Sequence, residues 1–103
     1  MNDLEKKAFK QKLMMMLMEL DPKEETVLRQ RLGFGAGRMR SLEEVSLFIG
    51  VTRERIRQIE QKALEKMYAK DPQLKSELQK YLDTFKHNGA GGTQDSNNDD
   101  LDI

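Results

Sequence analysis

The feature that most constrains this chain is a single glycine, Gly50, set between two stretches of helical periodicity. Before it, Ser41 has the character of an N-cap, with Glu44 three residues on to complete a capping box. Leu42, Val45, Phe48 and Ile49 then recur at helical spacing and predict an apolar face. Gly50 permits the left-handed backbone that ends a helix, and Thr52 caps the next one. A connection so short, with glycine in it, sets two helices at a steep angle. That is the helix-turn-helix arrangement, in which the second helix is the one that enters a major groove.

A wheel at 100 degrees per residue separates the faces of the second helix. Ile56, Ile59, Ala63 and Met67 form a narrow apolar stripe that must pack on the first helix. Glu54, Gln58, Gln61 and Glu65 lie roughly opposite, with Arg53 and Arg57 on one edge and Arg55 and Lys62 on the other. Arginine pairs bidentately with guanine, glutamine with adenine, and glutamate accepts from the cytosine amino group, so these residue types suit base-edge readout. A run of charges on its own reads more simply as a solvated face laced with salt bridges. The position favours readout: Glu54 and three arginines within five residues follow the tight turn, where recognition helices touch bases.

The run Val51-Thr-Arg-Glu-Arg-Ile-Arg-Gln-Ile-Glu60, with Ser-Leu-Glu-Glu-Val at 41–45 before it and Lys62-Ala-Leu64 after it, resembles region 4 of the primary class of bacterial RNA polymerase sigma factors. Leu20-Asp-Pro-Lys-Glu-Glu-Thr-Val-Leu-Arg-Gln-Arg-Leu-Gly-Phe34 is similar to the first half of that region, so the match covers about 20–67, with a looser continuation to 83. The resemblance implies a unit that binds the upstream promoter hexamer, the −35 element, and docks on the flap of the polymerase beta subunit. It places Arg53, Glu54, Arg57 and Gln58 on base edges, and Lys23, Arg31, Arg55 and Lys62 on phosphates or the groove edge. Basic groups of that second kind contribute salt-dependent, sequence-independent affinity. Other transcription factors and anti-sigma proteins join the polymerase core and promoter DNA as candidate partners. The chain departs from the family in two ways. Glu65 stands where some members carry a base that meets upstream-bound activators, and no stretch resembles region 2, which melts promoter DNA.

Elsewhere the chain reads as helices and polar connections. Leu4, Ala8, Phe9, Leu13, Met16 and Leu17 predict a helix over 3–19, whose methionine-rich block 13–18 is too short to span a membrane and should be partly buried, or serve as an adaptable docking surface. Asp21-Pro22 caps and opens a helix over 22–32, with Val27, Leu28 and Leu32 facing inward. Three glycines mark 33–40 as a loop; without a preceding strand or a following Gly-Lys-Ser/Thr it is not a nucleotide cradle. Phe34 should plug the core, while Arg38, Arg40 and the Ser41 helix start are candidates to meet a phosphate. Asp71-Pro72 predicts a last amphipathic helix over 72–86 carrying Leu74, Leu78, Tyr81, Leu82 and Phe85.

Composition sets the bounds. With 103 residues there is room for one small domain. The 18 basic and 18 acidic residues cancel, but residues 94–103 hold four aspartates and no base, which leaves +4 on residues 1–93. That polar, glycine-rich, acidic terminus should be disordered, either a solvating tail or a weak competitor with DNA for the basic face. There is no cysteine and one histidine, His87, so neither a disulfide nor a thiolate or multi-histidine metal site is expected, and no cofactor. No apolar run is long enough for a membrane span and no signal pattern opens the chain, which predicts a cytoplasmic protein with no membrane partner.

The expected fold is all-α: an amphipathic helix or linker over 1–19, a helix-turn-helix domain over 20–86 with a three-helical core and no strand, and a disordered tail over 87–103. Two function classes follow. One is a sequence-specific DNA-binding module of transcription initiation. The other is a small region 4-like regulator, or a split sigma subunit, acting mainly by binding polymerase or another regulator. Catalysis has no support, since no nucleophile, base and orienting group recur together.

Overall fold

The computed structural model describes residues 1–35 and 37–89, and over these the chain is five helices with no strand. Helix α1 spans Asp3–Leu17, α2 Pro22–Leu32, α3 Leu42–Ile49, α4 Arg53–Lys70 and α5 Leu74–Gly89. Local chemistry sets most boundaries. Asn2 accepts from the Glu5 amide at 2.8 Å, and the Glu5 carboxylate accepts from the Asn2 amide at 2.9 Å, a capping box that starts α1. Pro22 takes the first position of α2, where its missing N–H costs nothing, and the Asp21 amide donates to Glu24 at 3.3 Å. Gly33 closes α2 in the left-handed region, φ 84°, where a β-carbon would lie 2.9 Å from the Arg38 carbonyl carbon, so only glycine fits.

The helix ends differ modestly from the sequence expectation. α1 stops at Leu17 rather than 19. Asp71 accepts from the Gln73 amide at 3.1 Å, and this turn delays α5 from 72 to Leu74. Residues 87–89, expected to begin the tail, instead continue α5 to Gly89; the remainder of that expected tail lies outside the described residues. No helix among the described residues is long and apolar enough to cross a membrane.

The apolar side chains gather into two clusters. The larger joins Phe9, Leu13 and Leu17 of α1, Leu28 and Leu32 of α2, Ala63, Leu64 and Met67 of α4, and Leu74, Leu78, Tyr81 and Leu82 of α5. The smaller joins Val27 of α2, Leu42 and Val45 of α3, and Ile56 and Ile59 of α4. The core is therefore larger than the three-helical one expected, because α1 and α5 supply seven of the twelve residues of its larger part. The stripe on α4 also divides: its first half packs on α3 as expected, while Ala63 and Met67 turn to α1 and α5. Phe34 packs against the edge of the larger cluster, with the Lys10 ammonium 5.4 Å from its ring centroid.

Some residues of the expected apolar faces are displaced, Leu4 and Phe85 among them at 77% and 40% exposed. Phe48 is 66% exposed beside Leu47 at 74%, because eight residues of α3 give one buried face, and Leu42, Val45 and Ser46 fill it. The methionine block divides as its periodicity requires: Leu13 and Leu17 are fully buried, whereas Met15 and Met18 face solvent.

The burial of α1 has a measurable consequence. Leu13→Ala should destabilise the domain by about 2–5 kcal/mol, whereas Met15→Ala should change it by under about 0.5 kcal/mol. Urea unfolding followed by circular dichroism separates the two. Equal small losses would show that α1 is not integral to the fold.

Candidate nucleic-acid interface

The α3–turn–α4 unit is fixed at both ends of its turn. The Gly50 amide donates to the Ser46 carbonyl at 2.8 Å and the Val51 amide to the same oxygen at 3.3 Å, with Gly50 at φ 90°. Thr52 Oγ1 then accepts from the Arg55 amide at 3.1 Å and starts α4. With Ile56 and Ile59 buried on α3, the first two turns of α4 have their opposite face in solvent.

Glu54, Arg57 and Gln58 are exposed there and bonded to one another. Arg57 donates through Nε at 3.0 Å and Nη2 at 2.7 Å to the two Glu54 oxygens, a bidentate pair, and through Nη1 to Gln61 Oε1 at 3.1 Å. Gln58 Nε2 donates to Glu54 at 3.3 Å. The Arg57 guanidinium holds the Glu54 carboxyl below its usual pKa, so it is ionised at neutral pH. Exposed, solvent-screened pairs of this kind contribute little, so competing hydrogen-bond groups of a ligand can displace them. Arg53 is half-buried and joins Leu42, Glu54 and Arg57 around a depression of about 430 Å³, which places the start of α3 beside the start of α4. The four candidate base readers thus occupy one surface.

The candidate phosphate residues are more dispersed. Lys23 is exposed in the first turn of α2, and Arg55 and Lys62 are exposed on α4, none of the three in an ion pair among the described residues. Arg38 is exposed but donates to both Glu44 oxygens at 2.6 and 3.2 Å. That contact and the Ser41 amide depress the Glu44 carboxyl to a pKa of about 2, so it is an anion at the very N-terminus offered to a phosphate. Ser41 is occupied as a cap: its Oγ accepts from the Glu44 amide at 3.0 Å and its own amide donates to Glu44 at 2.9 Å, leaving the hydroxyl proton as its one free donor. Arg40 is half-buried, its Nε enclosed without a partner.

Arg31 does not lie on this surface. Only 3% exposed, it donates through Nε to Glu60 Oε1 at 2.6 Å and through Nη1 to the Arg40 carbonyl at 2.8 Å, and so cannot reach a phosphate without leaving the core. Its partner Glu60 is equally buried and was not singled out by sequence. A signal existed. Glu60 falls on the apolar stripe of α4, four residues after Ile56 and three before Ala63, and a carboxylate there requires a buried cation. Arg31 stands at the matching place on α2, three and four residues after Leu28 and Val27.

Comparison with known proteins agrees with this geometry. The sequence profile of the family described as Sigma-70, region 4 matches residues 16–69. The RNA polymerase sigma factor SigA of Clostridium acetobutylicum is 49% identical over 77 residues, which cover 75% of this chain and 20% of that protein. SigA of Nostoc and SigA1 of Synechococcus elongatus are each 43% identical over 81 residues, covering 79% of this chain and 20% of theirs. The chain spans about a fifth of the length of these relatives. With the profile over more than half its length, on the helices that build the turn, the chain belongs to the sigma-70 region 4 family.

Proposed function

We propose that this chain is a sequence-specific DNA-binding module of transcription initiation, reading the promoter −35 element in the major groove and docking on the beta-subunit flap of RNA polymerase in the cytoplasm. The observation that carries the reading is the one surface on which half-buried Arg53 joins exposed Glu54, Arg57 and Gln58. These donors and acceptors occupy the first two turns of a helix whose other face is locked by Ile56 and Ile59. Arg53 and Arg57 suit guanine, Gln58 adenine and Glu54 the cytosine amino group. Lys23, Arg55 and Lys62 grip phosphates, with Arg38, Arg40 and Ser41 as lesser contributors, since Glu44 opposes an anion beside them. Polymerase is the partner in keeping with the named sigma factors among the relatives, and no catalytic step is involved.

A second reading has an observation in its favour. Leu47 and Phe48, side by side and largely exposed near the turn, suit a protein partner, as would be expected of a small regulator or split sigma subunit that works mainly by protein contact.

Gripping and reading separate by mutation. Arg55→Ala or Lys62→Ala should weaken specific and random duplexes alike and reduce the salt slope by about one per lost phosphate contact. Titration over a salt series measures both. A changed sequence preference would place these side chains on bases instead.

Gln58→Ala, Glu54→Ala and Arg53→Ala should each remove about 1–3 kcal/mol of discrimination at one or two base pairs, with stability altered by under about 0.5 kcal/mol. Competition against all single-base variants of the hexamer, on a polymerase-tethered chain, reads this out. A flat profile before and after substitution, beside a positive flap pull-down, would favour the protein-binding reading.

A further inference from the structure

We infer that Arg31 and Glu60 are positioning residues for base readout: buried and away from DNA, they fix the rotation and register of α4. The contact is three-sided. Arg31 projects from α2, bonds Glu60 of α4 at 2.6 Å, and bonds at 2.8 Å the carbonyl of Arg40, the residue before the N-cap of α3. One guanidinium therefore ties together the three helices of the reading unit. A second tie between α2 and α4 runs from Lys66 Nζ to Glu24 at 2.9 Å, but Lys66 is 41% exposed on a flexible stem and fixes little.

Magnitudes favour a positioning role. The apolar contacts of Ile56, Ile59 and Ala63 hold α4 close without setting its angle sharply, because hydrophobic attraction is non-directional. Rotating a helix by about 20° carries a side chain at its outer radius of about 5–6 Å through about 2 Å. The hydrogen-bond window is only about 0.5 Å wide. A slip that the apolar core absorbs would thus break every base contact of Glu54, Arg57 and Gln58 at once. Glu60 is two residues from Gln58 on the same helix, so pinning it pins the readers. Stability alone does not call for an ion pair here, since buried pairs replaced by apolar residues of similar volume are often neutral or stabilising.

The inference rests on the proposed base reading for its consequence, though not for its geometry, and the test keeps the two apart. The full chain is compared with Arg31→Met/Glu60→Leu, and with Arg31→Lys, which keeps the charge but lacks the planar fork that reaches two acceptors. Urea unfolding should show the double variant folded. Residual dipolar couplings of backbone amides, recorded without DNA, should show α4 reoriented relative to α2. Discrimination between the −35 hexamer and its single-base variants should fall by roughly tenfold per contacted base pair, a larger loss than any in random-duplex affinity. An unmoved α4 in the double variant overturns the inference, as does either folded variant that discriminates as well as the parent chain. A parent chain that fails to discriminate, beside a reoriented α4 in the variant, sinks the base-reading proposal while supporting the positioning geometry.

Discussion

An arginine and a glutamate, both withdrawn from water, join the two helices on which everything else is mounted. Among the described residues, α2 and α4 are the only helices that contribute to both apolar clusters, and the Arg31–Glu60 contact lies between them. Taking two charges out of water costs several kcal/mol each unless the remaining donors and acceptors are met. Here the guanidinium satisfies a carboxylate and a backbone carbonyl, while its Nη2 stays enclosed without a partner. The arrangement is demanding in direction, and direction is what a reading helix needs from its support. Around it, α1 and α5 add bulk: Phe9, Tyr81 and Phe85 meet in series, tilted and then edge to face, at centroid distances of 5.2 and 5.1 Å.

The candidate reading face is held in a self-satisfied state. Glu54, Arg57, Gln58 and Gln61 bond to one another along the outer face of α4. Such a network keeps side chains of high rotamer freedom from wandering, so less entropy is lost when they engage a ligand. In the proposed reading it also sets a selectivity threshold, because a sequence that offers worse partners than Glu54 and Arg57 offer each other leaves the network closed. Arg55 and Lys62, in no ion pair among the described residues, have no such network to break, in keeping with the phosphate contacts proposed for them.

Much of this was legible in the sequence, for reasons local to it. Ser41 with Glu44, Gly50 and Thr52 announce their backbone conformations through near-neighbour hydrogen bonds, so the turn and its two helices could be placed to within a residue. Leu74, Leu78, Tyr81 and Leu82 likewise gave their buried face by periodicity. What escaped was pairwise and distant. Arg31 looked like a surface base because its partner lies twenty-nine residues on, and the signal was split between two helices. Phe48 looked buried because hydropathy cannot show that an eight-residue helix has no second face to hide. α1 read as an amphipathic helix or linker beside the domain, not as part of its core, because its role depends on α5, whose docking also draws Lys12 to Asp71 and Glu77 at 2.6 and 2.8 Å.

The division of the core into two clusters means the domain is not equally firm throughout. α3 and the start of α4 rest on five buried residues, whereas the other end rests on twelve drawn from four helices. Free energy of local opening scales with what is uncovered, so the helix-turn-helix half is the less protected cooperative unit and the α1–α5 end the more durable one. The end that carries the candidate base-reading residues thus stands on the smaller apolar foundation, and the opposite end anchors it.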